Sequence, residues 1–84
     1  MSTTFAYYKG KIEAVLAGRG IRLVRSGQTV DLFGDPMWVF CPHFNDLINS
    51  DVDVILNDIT DLMNVKAVYD ASTNQFLLKE NHEC

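Results

Sequence analysis

Cysteine occurs only at Cys41 and Cys84, too rarely for the scaffold of a small secreted domain, which needs several bridges in place of a large core. Both are read as thiols. No apolar run is long enough to span a bilayer, and Met1-Ser2-Thr3-Thr4 leads into a patterned segment rather than a charged-then-apolar leader, so the expected compartment is the cytoplasm and no membrane is expected as a partner. Proline is limited to Pro36 and Pro42, and no Gly- or Ser-rich tract, repeat or low-complexity stretch divides the chain; residues 1–84 are read as a single interaction domain. A chain this short buries roughly 60 to 65% of the surface its unfolded form exposes. Its apolar residues, 48% of the total, must therefore serve one shared core, which leaves little room for a deep substrate cleft.

Basic residues are scarce, seven against eleven acidic ones, and unevenly placed. Residues 1–25 carry Lys9, Lys11, Arg19, Arg22 and Arg25 against Glu13 alone, whereas residues 26–84 carry two basic and ten acidic side chains. Such asymmetry implies either a bipolar surface or two ends that neutralise each other in the fold.

The pattern along the chain is that of an α+β domain. Phe5, Tyr8, Ile12, Val15 and Leu16 form one stripe of a helix over residues 3–17, with Thr3 or Thr4 as N-cap and Gly18-Arg19-Gly20 as the stop. A rival reading makes Lys9-Gly10 a turn between two strands. Ile21 to Arg25 and Thr29 to Phe33 are β-rich runs that read as a hairpin across Ser26-Gly27-Gln28; Gly34-Asp35-Pro36 makes the next turn, and Met37 to Phe40 a third strand. His43 to Ile48 suits a helical turn or two. Then Val52, Ile55, Leu56, Ile59, Leu62 and Met63 define a full helical stripe, opened by Ser50 with Asp53 as a capping box and with Asp51 and Asp53 at the positive end of the helix dipole. Val65 to Tyr69 and Gln75 to Lys79 bracket a polar hairpin loop, Asp70 to Asn74. The expected fold is a mainly antiparallel sheet of about five strands packed against two or three helices.

Catalytic and ligand motifs are thin. Cys41-Pro42-His43 sets a thiol and an imidazole two positions apart, on the same side of a strand, but no oxyanion loop or glycine-rich elbow accompanies them. Cys41, His43, His82 and Cys84 could supply a tetrahedral zinc site, yet each pair is separated by one residue rather than by the usual turn-forming spacer. Asp51-x-Asp53 opens like a calcium loop, but Ile55 and Leu56 stand where an oxygen ligand and a glycine are needed. Gly18-Arg19-Gly20 lacks the third glycine and the preceding strand of a dinucleotide fingerprint. Neither a catalytic residue, a metal nor a cofactor is expected, and an enzyme is not the reading.

Recognition of another protein remains. Asp51, Asp53, Asp58 and Asp61, with Asp46 and Asp70 adding to the field, give the second long helix an acidic face, and carboxylates on a rigid helix imitate the phosphates of a nucleic acid. Phe33, Trp38, Phe40 and Phe44 concentrate four of the nine aromatics within twelve residues, and Trp38 belongs either to the core or to an interface, homodimeric or with a partner. Small size and acidity are similar in kind to those of small phage inhibitors, among them anti-CRISPR proteins and a uracil-DNA glycosylase inhibitor. Tyr69-Asp70-Ala71-Ser72-Thr73 resembles a hairpin of the latter over five residues around a generic turn, a likeness that defines no family. The expectation is a non-enzymatic module, an inhibitor or adaptor of phage or mobile-element type. It would occupy a basic, nucleic-acid-binding surface of a larger protein through Asp51, Asp53, Asp58 and Asp61, with Trp38 as a further contact. The alternatives are a nucleic-acid-associated regulator that uses Arg19, Arg22 and Arg25 with Tyr7 as a stacking face, against which the acidic remainder argues, and a zinc or thiol protein.

Overall fold

The computed structural model describes residues 5–48 and 50–80. Their order is α1 (Phe5–Ala17), β1 (Leu23–Val30), β2 (Pro36–Pro42), α2 (Phe44–Leu47), α3 (Val52–Leu62), β3 (Val65–Asp70) and β4 (Gln75–Glu80). The strands form one antiparallel sheet in the order β1-β2-β4-β3, so β1 and β3 are its edges. The α+β architecture is as expected, with four strands among the described residues rather than about five.

The difference lies at Ser26-Gly27-Gln28, which is no turn. These residues continue β1 and pair with Phe40, Val39 and Trp38, fusing the two expected runs into one strand of eight residues. The first reversal is the one expected at Gly34-Asp35-Pro36, and it spans Asp31 to Asp35. There one Asp31 carboxylate oxygen accepts from the backbone N–H of Phe33 at 2.8 Å and of Asp35 at 2.9 Å, and Gly34 takes the left-handed φ of +83° that the turn demands. The Lys79 ammonium of β4 pairs with the other Asp31 oxygen and ties the turn to the sheet.

α1 follows its stripe: Tyr8, Ile12 and Leu16 are buried, and the helix ends where Gly20 turns left-handed at φ +75°. The proposed Thr3 or Thr4 cap lies outside the described residues. The cap of α3 is Asp51, not Ser50: the Asp51 carboxylate accepts from the N–H groups of Asp53 and Val54, whereas the Ser50 hydroxyl donates back to the Asp46 carbonyl. Both residues are cap formers, and the one directly before the first helical residue takes the role.

Strand alternation divides the sheet into two faces. Trp38, Phe40, Phe76, Leu78 and Val65 point inward and meet Ile12, Leu16, Ile55 and Ile59 of the helices, all in one apolar cluster. Gly27, Val39, Leu77 and Val68 stand in register across the opposite face, which no helix among the described residues covers. None of those helices is long and apolar enough to cross a membrane.

Candidate functional site

Trp38 is a core residue. It is 4% exposed and packs against the Tyr8 ring at 4.5 Å between centroids, so the expectation of Trp38 as a partner contact is corrected: α1 seals it from the surface of the monomer. Its Nε1–H is buried with no hydrogen-bond partner among the described residues. The aromatic concentration divides in the same way. Phe40 is fully buried, while Phe44 stays largely exposed and Phe33 is 87% exposed at the β1–β2 turn.

The charge asymmetry resolves into pairs. Arg22 grips Asp46 through Nε at 2.8 Å and its terminal nitrogen at 3.1 Å, and its backbone N–H donates to the same carboxylate. The guanidinium hydrogen bonds first, and the backbone N–H second, hold the Asp46 carboxyl down at a pKa of about 2. Arg19 donates to Asp58 through Nε at 3.0 Å and also through a terminal nitrogen. Two of the three arginines proposed for phosphate contacts are thus engaged by carboxylates, while Arg25 stands on the uncovered face of the sheet beside Cys41.

Of the two cysteine and histidine motifs, Cys41-Pro42-His43 alone falls among the described residues. The Cys41 thiol donates to the Asn74 carbonyl at 3.3 Å, and the His43 ring accepts from the Asn45 N–H as the N-cap of α2. His82 and Cys84 lie outside the described residues. No group of three His, Cys, Asp or Glu side chains among the described residues is placed to hold a metal ion.

The acidic face of α3 is split by helical geometry. Asp51, Val54, Asp58 and Asp61 recur at intervals of three and four, which brings them to one flank, while Asp53 projects from the other. Asp51 spends its carboxylate on the cap. Asp58 and Asp61 line a groove of about 740 Å³ between α1 and α3. Its floor is Ala14, Val15 and Gly18 of α1 and its terminal turn with Leu62 of α3, and Arg19 reaches across to Asp58. Ala14 and Gly18, one helical turn apart, make the groove by leaving α1 without bulk there. Leu62 is half exposed, although the stripe assigned it to the core. Asp61 is exposed and has no base within ion-pair distance among the described residues. The arrangement is an apolar trough with a carboxylate rim. Sequence reasoning found Asp58, Asp61 and Leu62 but not the α1 side, because two small residues in a helix carry no signal until a second helix lies beside them.

Comparison with protein-family models, with curated protein sequences and with solved structures gives no match.

Proposed function

We propose that the chain is a non-enzymatic protein-binding module, an inhibitor or adaptor, whose contact is the α1–α3 groove. The partner it fits is a basic segment with an apolar anchor, as on a nucleic-acid-binding surface of a larger protein. The observation that carries this reading is the placement of Asp58 and Asp61 on the rim of an apolar trough. An apolar anchor from the partner would seat on Ala14, Val15, Gly18 and Leu62, and a lysine or arginine beside it would meet Asp61. The Arg19–Asp58 bridge is exposed, and a bridge of this kind contributes at most about 1 kcal/mol, so a partner arginine can displace Arg19 at small cost. Asp51 and Asp53 of the expected acidic face stand at the other end of α3 and act in this reading through the long-range field alone.

The test is affinity capture from an extract of the native host with three immobilised chains: the parent, Asp58→Lys with Asp61→Lys, and Asp53→Lys. A protein retained by the parent and by Asp53→Lys but absent from the double variant is the expected result. Equal retention by all three would remove the groove as the contact.

A further inference from the structure

Among the described residues two arginines pair with carboxylates, and the two pairs are built differently. Arg22 meets Asp46 fork to fork, with Nε on one oxygen and a terminal nitrogen on the other; its backbone N–H adds a third bond, and the Asp46 side chain is 17% exposed. Arg19 instead sets both Nε and a terminal nitrogen on the Oδ2 oxygen of Asp58, and the two side chains are 37% and 43% exposed. The Oδ1 oxygen of Asp58 accepts no hydrogen bond among the described residues. The backbone that carries Arg19 does not share this looseness. The turn that ends α1 is closed by the N–H of Arg19 on the Leu16 carbonyl and that of Gly20 on the Ala17 carbonyl, both at 3.0 Å, and by the N–H of Ile21 on Leu16 at 2.8 Å. Arg19 therefore leaves or regains Asp58 by rotation of its own side chain, with the turn intact.

Arg19 and Asp58 both line the α1–α3 groove, together with Ala14, Gly18, Asp61 and Leu62. We infer that this groove is a site for an arginine side chain of the partner, and that Arg19 is its internal occupant in the free chain, a competitor that the incoming arginine displaces. The inference rests on the groove being the contact surface and adds to it the identity of the cation and a means of regulation. Engagement through Nε and a terminal nitrogen needs the planar guanidinium, which holds several donors in one fixed fork; the lysine ammonium is a compact point charge without that plane. Arginine is therefore the cation that the site selects. Its aliphatic stem lies over Ala14 and Gly18, where α1 lacks bulk, and its head takes the place of Arg19 on Asp58 with Asp61 beside it. Because Asp58 is available only in chains whose Arg19 has swung away, the fraction of such chains sets the apparent affinity. A substitution that removes Arg19 raises that fraction to one.

The experiment is fluorescence anisotropy of two labelled synthetic peptides, one alternating leucine with arginine and one with lysine in place of arginine, titrated with the full chain and its variants. The arginine peptide is expected to bind the parent more tightly than the lysine peptide. Arg19→Gln tightens that binding by up to about fivefold, the worth of an exposed ion pair, and Arg19→Lys, which keeps the charge, by less. Adding Asp58→Asn to Arg19→Gln abolishes the gain. Arg25→Gln removes the same charge from the uncovered face of the sheet and gives no comparable gain. If Arg19→Gln fails to fold, Arg19→Lys decides the question. No gain at Arg19, a gain shared equally by Arg25→Gln, equal affinity for the two peptides, or no binding of either peptide would overturn the inference. In the first three of these outcomes Asp58→Lys with Asp61→Lys separates the inference from the reading beneath it: loss of binding in that variant leaves the groove as the contact surface, and binding equal to that of the parent removes the groove as well.

Discussion

Residues of the same chemical type have opposite fates in this chain, and neighbours decide which. Trp38 and Phe33 lie five positions apart in an aromatic-rich stretch, yet one packs under Tyr8 and the other stands in solvent at the turn. The side that a residue takes on a strand follows from register, which pairs Trp38 with Leu78 on the helix-covered face. Trp38 fluorescence should therefore resist acrylamide quenching in dilute protein, and quenching as efficient as that of free tryptophan would contradict its burial. Ile59 and Leu62 make the same point within one helical stripe. Ile59 is fully buried, and Ile59→Ala should cost about 2 to 5 kcal/mol in a denaturant titration. Leu62→Ala, at the groove, should stay within about 0.5 kcal/mol of the parent.

At the level of elements, α3 was the legible helix because amphipathic periodicity is strongest where one flank of a helix is buried and the other wet, whereas α1 is only weakly amphipathic and left a strand-turn-strand rival open at Lys9-Gly10. β1 was not legible. Of its eight residues none is fully buried, so the alternation that marks a strand is absent, and Ser26-Gly27-Gln28 carries the composition of a turn while pairing with β2. Only the partner strand distinguishes the two. The true turn is expected at Gly34-Asp35-Pro36 and begins three residues earlier, at Asp31, whose carboxylate bonds to Phe33 and Asp35 depend on the folded loop rather than on composition. Of the site, the α3 carboxylates were legible from spacing, and the pairing of Asp58 with Arg19 and of Asp46 in α2 with Arg22 was anticipated only as one of two outcomes. Those contacts join residues 39 and 24 positions apart, a separation to which helix and strand periods are blind. The groove itself makes a prediction on α1. Ala14→Phe would fill the trough from an exposed helical position, so melting should be close to that of the parent while retention of the captured partner is lost.

Across the whole molecule, the basic N-terminal third is tied to the acidic remainder through Arg22–Asp46 and Arg19–Asp58, and Asp31–Lys79 ties the turn between β1 and β2 to β4. Arg22 depresses the pKa of Asp46 to about 2; Lys79 and the turn N–H groups lower that of Asp31, and Ser72 and Thr73 that of Asp70. An unfolded carboxyl near pH ~3.9 binds protons that these native groups refuse, so stability is fully present above that value and falls as the pH drops toward 2. Asp46→Asn should be less stable than the parent at neutral pH and should flatten this acid limb in thermal melts between about pH 4 and 2. An acid limb identical to that of the parent would remove Asp46 as a contributor.

The carboxylate-rimmed groove is tested most directly by the affinity of the captured partner for the parent and for Asp58→Lys with Asp61→Lys, measured at low and high salt on proteins of matched melting profile. The rim charges act through screened electrostatics. The parent should bind more tightly at low salt, and the double variant should lose most of that affinity together with its salt dependence. Undiminished, salt-insensitive binding by the double variant would contradict the groove as the contact surface.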